Sequence, residues 1–181
     1  MVRTYPVRTS LRIQSTEGMV RVSYPKQVYT GDTGEINANF RPADTPPNVG
    51  TAGKDAIHYL ATTTTTRGEY GLYRVEMSAR AGGPKTHFHK TISESFFILN
   101  GTVRLFNGEQ WIDARQGDFL HVPQGGLHAF RNDSDAPADM LLLFTPGAPR
   151  EEYFEGLSQL ADATDEERSQ FFDKHDSYFV E

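Results

Sequence analysis

The chain contains no cysteine in its 181 residues. That excludes disulfides, zinc ribbons, iron–sulfur clusters and thiol catalysis. Positive charge is also scarce: 18 Lys and Arg stand against 24 Asp and Glu, a net charge of −6. Without a basic stripe to meet phosphates, nucleic acid is not an expected partner. No stretch approaches the ~18 uninterrupted apolar residues of a membrane span. The opening residues Met1–Gln14 carry charge but have no apolar run behind them, unlike a secretory signal. Internal repeats and low-complexity tracts are absent as well. The expectation is a soluble, cytoplasmic protein that engages neither nucleic acid nor membrane.

What the chain does have, from about residue 70 to 145, is a series of short apolar or aromatic runs. "YGLYRVEM", "ESFFIL", "TVRLF", "DFLHVP", "LHAFRN" and "DMLLLFT" are separated by turn residues at Gly82-Gly83, Asn100-Gly101, Asn107-Gly108 and Gly125-Gly126. Closely spaced strands without helical periodicity predict an antiparallel sandwich or barrel. "DAIHYLAT" reads as a further strand, and Thr62–Thr66 as either a strand extension or a surface loop. Residues 1–55 are expected to form an N-terminal arm and loop, 56–145 the β-barrel, and 146–181 a helical segment. In that last segment Tyr153, Leu157, Leu160 and Ala161 recur at helical spacing, and "TDEE" at 164–167 has the form of a capping box.

Within the strand-rich region, "THFHKTISE" places His87 and His89 two residues apart and Glu94 five further on. Side chains at i and i+2 of a strand share a face, so the two imidazoles converge. After a short turn, Glu94 opens the returning strand across from them. Two nitrogens and a carboxylate on one sheet face make three quarters of a metal site. In "GDFLHVPQGGLHAFRN", residues 117–132, His128 sits just after a turn, much as Glu94 does. If the two hairpins face each other across a barrel, His128 is the fourth ligand.

These residues carry a resemblance to the cupin superfamily. Its first motif, His-x-His, a gap, Glu, six residues and Gly, is matched by His87, His89, Glu94 and Gly101. Its second, Gly-x5-Pro-x-Gly-x2-His-x3-Asn, is matched by Gly117, Pro123, Gly125, His128 and Asn132, with the 15 residues Thr102 to Gln116 between the motifs. One departure concerns a turn: the family's glycine six residues before the first histidine is Ala81 here, followed by Gly82-Gly83. The resemblance implies an all-β fold, the antiparallel cupin barrel or jelly roll. It also implies one divalent transition metal held by His87, His89, Glu94 and His128. Three imidazoles and a carboxylate suit Fe, Mn, Ni, Co, Cu or Zn, with coordination positions left open for chemistry.

A small barrel has one interior, so some of Tyr73, Phe96, Phe106, Phe119, Phe130 and Phe144 are expected to line the substrate pocket and favour an aromatic ligand. Arg74 and Arg104 would bring charge there if strand parity turns them inward. His58 and His121 are left unassigned, and His175 is expected in solvent on a helix or near the C-terminal charge. The single-domain cupins that the chain most resembles are of quercetinase type, which open an electron-rich enolic ring with O2. That resemblance makes O2 and an apolar aromatic enol the expected partners, and Glu94 both ligand and catalytic base. Two other readings stand beside it: a non-redox lyase, cyclase or isomerase acting on a keto or polyketide-like substrate, and a non-catalytic small-molecule binder. Cupins commonly pair through barrel faces, so a homodimer is expected.

Overall fold

The computed structural model describes residues 24–180. Residues 24–38, which belong to a first unit, form no helix or strand and are exposed; residues 39–180 lie in a second, compact unit. That unit is built from antiparallel strands. One sheet has the order β1-β2-β3-β10-β5-β8, formed by Val49–Gly50, Ala56–Ala61, Gly71–Met77, Ala138–Thr145, Ser93–Asn100 and Phe119–Val122 respectively. A second has the order β7-β6-β9, formed by Trp111–Arg115, Thr102–Phe106 and Ala129–Arg131. A two-residue strand β4, His87–Phe88, pairs with β11, Tyr178–Phe179, near the end of the chain. Helix α1 spans Arg150–Gly156, a 3-10 helix Leu157–Asp162, and α2 Asp165–Lys174.

Period-2 alternation decides what is inside. In β3, Tyr73, Val75 and Met77 are buried while Leu72, Arg74 and Glu76 are half-buried; in β10, Ala138, Met140, Leu142 and Phe144 are buried. One apolar core joins Phe96 and Ile98 of the larger sheet to Val103, Leu105 and Ala114 of the smaller one, which is the packing of a jelly roll. The tail closes one side of it: Tyr153 and Phe154 are buried in the same core. The Phe154 ring packs edge-on to Tyr73 at 5.0 Å between centroids, a geometry worth about 1 kcal/mol beyond the buried area.

The same alternation corrects two expectations, Phe119 and Phe106 in the pocket, and settles the parity of His121, Arg74 and Arg104. Phe119 and His121 are exposed on the outer parity of β8, and Phe119 is 63% exposed. Phe106 sits on the outer parity of β6, where its ring packs on Trp111 at 5.5 Å. Arg74 and Arg104 also point outward, to Asp139 at 2.7 Å and Asp133 at 3.0 Å. The Thr62–Thr66 run is a turn, closed by the Thr66 N–H donating to the Thr62 carbonyl at 3.0 Å. Strand β7 lies in a stretch where no strand was expected. Capping of α2 follows the sequence reading: Thr164 accepts from the Glu167 N–H, and Glu167 accepts from the Thr164 N–H.

Two residues, Gly83 and the motif residue Asn132, have purely structural tasks. A Cβ at Gly83 would lie 1.8 Å from the Phe130 carbonyl oxygen, so no side chain fits there without backbone movement. Asn132, 1% exposed, donates to the Ser78 and Ala136 carbonyls, both at 2.8 Å, and accepts from the Ser134 N–H and hydroxyl at 3.0 and 2.7 Å. It ties together the two loops that flank β3 and β10. Asn132→Ala leaves buried groups without partners and should lower unfolding free energy by about 3 kcal/mol. Urea denaturation checks this, and a loss under about 1 kcal/mol would remove the role assigned to Asn132.

Candidate metal centre

The four residues His87, His89, Glu94 and His128 come together in the barrel, all buried, each offering one ligand atom within 4.8 Å of the others. Three elements position them. Strand β4 carries His87, with His89 just beyond it; Glu94 is the second residue of β5; His128 precedes β9. The main chains of His87 and His128 bond reciprocally, at 3.0 Å and 2.9 Å, and the Gly125 N–H donates to the His89 carbonyl at 2.7 Å.

Each imidazole is oriented through Nδ1. His87 Nδ1 bonds to the Lys85 carbonyl at 2.9 Å and His128 Nδ1 to the Gly126 carbonyl at 3.0 Å. His89 Nδ1 bonds to the Asp176 carbonyl. A carbonyl only accepts, so each Nδ1 carries its proton and each Nε2 is left to serve the centre. His128 Nε2 and His89 Nε2 lie 2.8 and 3.2 Å from the same oxygen, Oε2 of Glu94. Lone pairs so close repel unless a proton or a metal cation lies between them. This donor set, buried and deprived of other partners, fits a divalent transition metal, and the carbonyl partners at Nδ1 are the second-sphere support that such imidazoles need.

The electrostatics agree. Burial disfavours a charged Glu94, but hydrogen bonds from His128 and His89 outweigh it and hold the carboxyl well below the usual range. Burial, helped by the neighbouring His128, pulls His87 down to about 4. Burial acts against charge on His128 too, yet its bond to Glu94 and their attraction outweigh it and raise His128 above its ordinary value. A metal therefore competes mainly with one proton, the one His128 shares with Glu94.

Facing the site is a cavity of about 1000 Å³, lined by His87 and Glu94 at one end. Its walls include Phe130, Phe144, Tyr153, Phe154, Phe172 and Phe179. Of the aromatic residues expected there, Phe130 and Phe144 are present. Tyr73 and Phe96, both 0% exposed, pack behind the cavity: Tyr73 on Phe144, and Phe96 with its centroid 5.9 Å from that of His128. Phe106 and Phe119 lie outside it for the parity reason given above. The wall residues of the tail have one signal in the sequence, the aromatic doublets Tyr153-Phe154, Phe171-Phe172 and Tyr178-Phe179. His58 lies on β2 and bonds to Glu76 at 3.0 Å, away from the ligands. His121 pairs with Ser95 at 3.0 Å. His175 departs from the expectation of solvent: it is 8% exposed at the end of α2, its ring 4.6 Å from Phe171.

A jelly roll with this ligand constellation defines a class, and the comparisons agree with it. Residues 73–144 match the family model described as Cupin domain, and the chain carries a cupin domain over those residues. A stretch of 57 residues is 39% identical to the "Quercetin 2,3-dioxygenase" of Bacillus subtilis (strain 168). That match covers 29% of this chain and 17% of the relative's length. Among solved structures, KdgF from Halomonas sp. superposes with a TM-score of 0.54 at 14% identity, over 64% of this chain and 99% of that one. Ectoine synthase from P. lautus gives 0.50 at 16% identity, over 64% and 80%. At such identities these two likenesses speak for the fold.

Replacing His89 or His128 with alanine should abolish most metal binding, read by elemental analysis, while circular dichroism still reports a folded barrel. Full occupancy in both variants would eliminate this ligand set. The proton competition also has a sign. Because His128 takes up a proton at a pKa raised above the ordinary ~6.5, metal affinity should fall about tenfold per unit as pH drops below that point. Below about 4, where His87 protonates as well, the fall should steepen. A pH-independent metal dissociation constant between 4 and 7 would contradict this account.

Proposed function

We propose that the protein is a metal-dependent dioxygenase of quercetinase type that cleaves or oxygenates an apolar, aromatic enol with O2. The observation that carries this reading is a buried three-histidine, one-glutamate centre opening onto a cavity of about 1000 Å³ walled by aromatic rings. The 57-residue likeness to the B. subtilis enzyme supports the same choice. The resident ion, one of Fe, Mn, Ni, Co, Cu or Zn, would be held by His87, His89, Glu94 and His128. It would supply Lewis-acid stabilisation of a deprotonated substrate oxygen.

The chain's own residues do the rest. Phe130, Phe144, Tyr153 and Phe154 would give a flat ring an apolar wall and exclude water. Glu94 is the group placed to take the substrate's enolic proton. Its Oε2 lies 2.8 Å from His128 Nε2, with which it shares a proton, and 3.2 Å from His89 Nε2. With a cation bound, those two imidazoles would hold it through Nε2, and the Glu94 carboxylate would both help to hold it and accept the enolic proton.

Glu94→Gln should keep substantial metal, since an amide oxygen coordinates weakly, yet lose turnover by roughly 10²-fold or more. The assay is O2 uptake with a panel of flavonols and related enols, on protein whose metal content has been measured. A metal-replete protein that consumes no O2 with any of them, but converts a keto substrate equally well under nitrogen, would instead be a non-redox cyclase, lyase or isomerase.

We also propose that the homodimer forms through the outer face of the larger sheet. Phe97 and Phe119 pair across β5 and β8 there, 40% and 63% exposed, with Leu141 beside Phe97 on β10. An exposed pair of phenylalanines on a sheet face is an expected interface feature. Phe119→Lys should shift a dimer toward monomer in sedimentation velocity; an unchanged distribution would place the contact elsewhere.

A further inference from the structure

The cavity holds one buried cation that forms no ion pair with a carboxylate. Arg150, the first residue of α1, is 4% exposed and lines the same cavity as Glu94 and His87. Among the described residues it has no ion-pair partner, unlike Arg74, Arg80, Arg104, Arg131 and Arg168. Its Nη1 donates to the His175 carbonyl at 2.6 Å and to the Ser177 hydroxyl at 3.3 Å. Its Nε is buried without a partner, and Nη2 makes no hydrogen bond to a described residue. Three rings frame the guanidinium: Tyr153 at 3.9 Å, Phe144 at 5.0 Å and Phe154 at 5.9 Å from their centroids.

A buried guanidinium without a counter-ion costs several kcal/mol. The simplest structural account is that Arg150 only ties the tail to the barrel. That task uses a single nitrogen, Nη1, and a neutral glutamine or histidine would perform it without a buried charge. The rings recover part of the cost through cation–π attraction, but they leave Nε–H and Nη2–H unbonded. These two lie on one edge of the guanidinium, the fork that accepts the two oxygens of a carboxylate.

Charge bookkeeping in the cavity points the same way. Burial acts against the charge on Arg150, and attraction to Glu94 is among the effects that offset it. When a divalent ion occupies the centre, Glu94 is committed to that ion. The centre then carries a net positive charge, with Arg150 a second one in the same low-dielectric space. An anionic group beside Arg150 would offset its charge directly.

We propose that Arg150 is the receptor for a carboxylate on the substrate, so that the site selects aromatic acids over neutral aromatics of the same shape. This rests on the reading of the cavity as the substrate site and narrows its substrate class: a flat apolar ring system bearing a carboxylate. The acid group pairs with the Arg150 guanidinium from the cavity side, and the ring lies along the cavity's aromatic wall. The reacting end of the ligand is thereby turned toward Glu94. At about 1000 Å³ the cavity is at the upper end of ligand sites and admits a two- or three-ring acid.

The test is direct binding under nitrogen to the zinc-loaded protein, which separates it from any oxygen chemistry. Calorimetry with 2-naphthoate and 2-naphthamide compares an acid with a neutral amide of the same shape. Wild-type protein should prefer the naphthoate by at least tenfold. Arg150→Met, with zinc content unchanged, should lose most of that preference while naphthamide affinity moves by less than threefold. Arg168→Gln, at the cavity rim, should leave the preference intact. A wild-type preference below twofold, a full preference surviving in Arg150→Met, or a preference lost in Arg168→Gln instead overturns the assignment. Should Arg150→Met fail to fold, a crystal structure of the wild-type naphthoate complex decides. A carboxylate on the Arg150 guanidinium upholds the proposal, and one turned away from it refutes it. If acids bind through Arg150 but no O2 is consumed with any enolic aromatic, the dioxygenase reading fails and this one stands.

Discussion

The site depends on keeping three imidazole lone pairs and a carboxylate oxygen pointed at one buried spot. Left alone, such an arrangement is repulsive, so the scaffold must hold each donor against its tendency to turn away. It does so with main-chain groups. Lys85, Asp176 and Gly126 each present a carbonyl to an Nδ1–H, and carbonyls cannot swing aside as side chains can. The short strand β4 is fixed between two neighbours, paired with β11 on one side and bonded reciprocally to His128 on the other. Two residues of strand are enough because neither edge is free.

That makes the tail part of the site. Asp176 closes on the loop after β4 with three bonds from its carboxylate, to the N–H groups of Lys90 and Thr91 at 2.9 Å and the Thr91 hydroxyl at 2.6 Å. Its own carbonyl orients His89. Phe179 stacks on the His87 ring at 5.1 Å, and Val180 donates to the Thr86 carbonyl at 3.0 Å. The helices before it supply Tyr153, Phe154 and Phe172 to the cavity wall. The chain after β10 thus lines the cavity and then returns to fix the histidine cluster, so the proposed substrate and metal sites rest on the same thirty-odd residues. Asp176 achieves the return with a positive φ of 52°, a conformation that a short polar side chain such as Asp tolerates better than most.

How much of this is legible in the sequence depends on the range over which each contact acts. The four-residue cluster is legible because strand parity and turn position are local properties: His87 and His89 are two apart, and Glu94 and His128 each follow a turn. The buried alternation of β3 and β10 reads directly from "GLYRVEM" and "ADMLLLFT". Parity without a known reference face is ambiguous, however, and this is why Phe119 was expected inward along with Phe96. In β8 the inward residues are Leu120 and Val122, and nothing local distinguishes "FLHV" read one way from the other. Strand β7 is obscured because only Ala114 of "WIDAR" is buried, leaving no apolar pattern. The tail's role is set by contacts across some 90 residues, such as His89 with Asp176, and helical periodicity carries no information about them.

The burial of Arg150 shows what that non-local closure achieves electrostatically. A guanidinium on a surface helix would be hydrated and could discriminate little, because water screens it from any ligand. Here the same residue is placed under the barrel mouth by Nη1, which anchors it to the main chain of His175, with Phe144, Tyr153 and Phe154 removing solvent from its faces. The aromatic wall therefore has two effects: it offers a flat apolar slot, and it lowers the local dielectric in which the charge acts. In such a space a missing hydrogen-bond partner costs far more than in water. A neutral ring of the right shape would leave the fork of Arg150 unsatisfied, and an anionic one would satisfy it. Shape and charge selection are then consequences of one packing arrangement, set where the C-terminal segment meets the strand that carries the metal ligands.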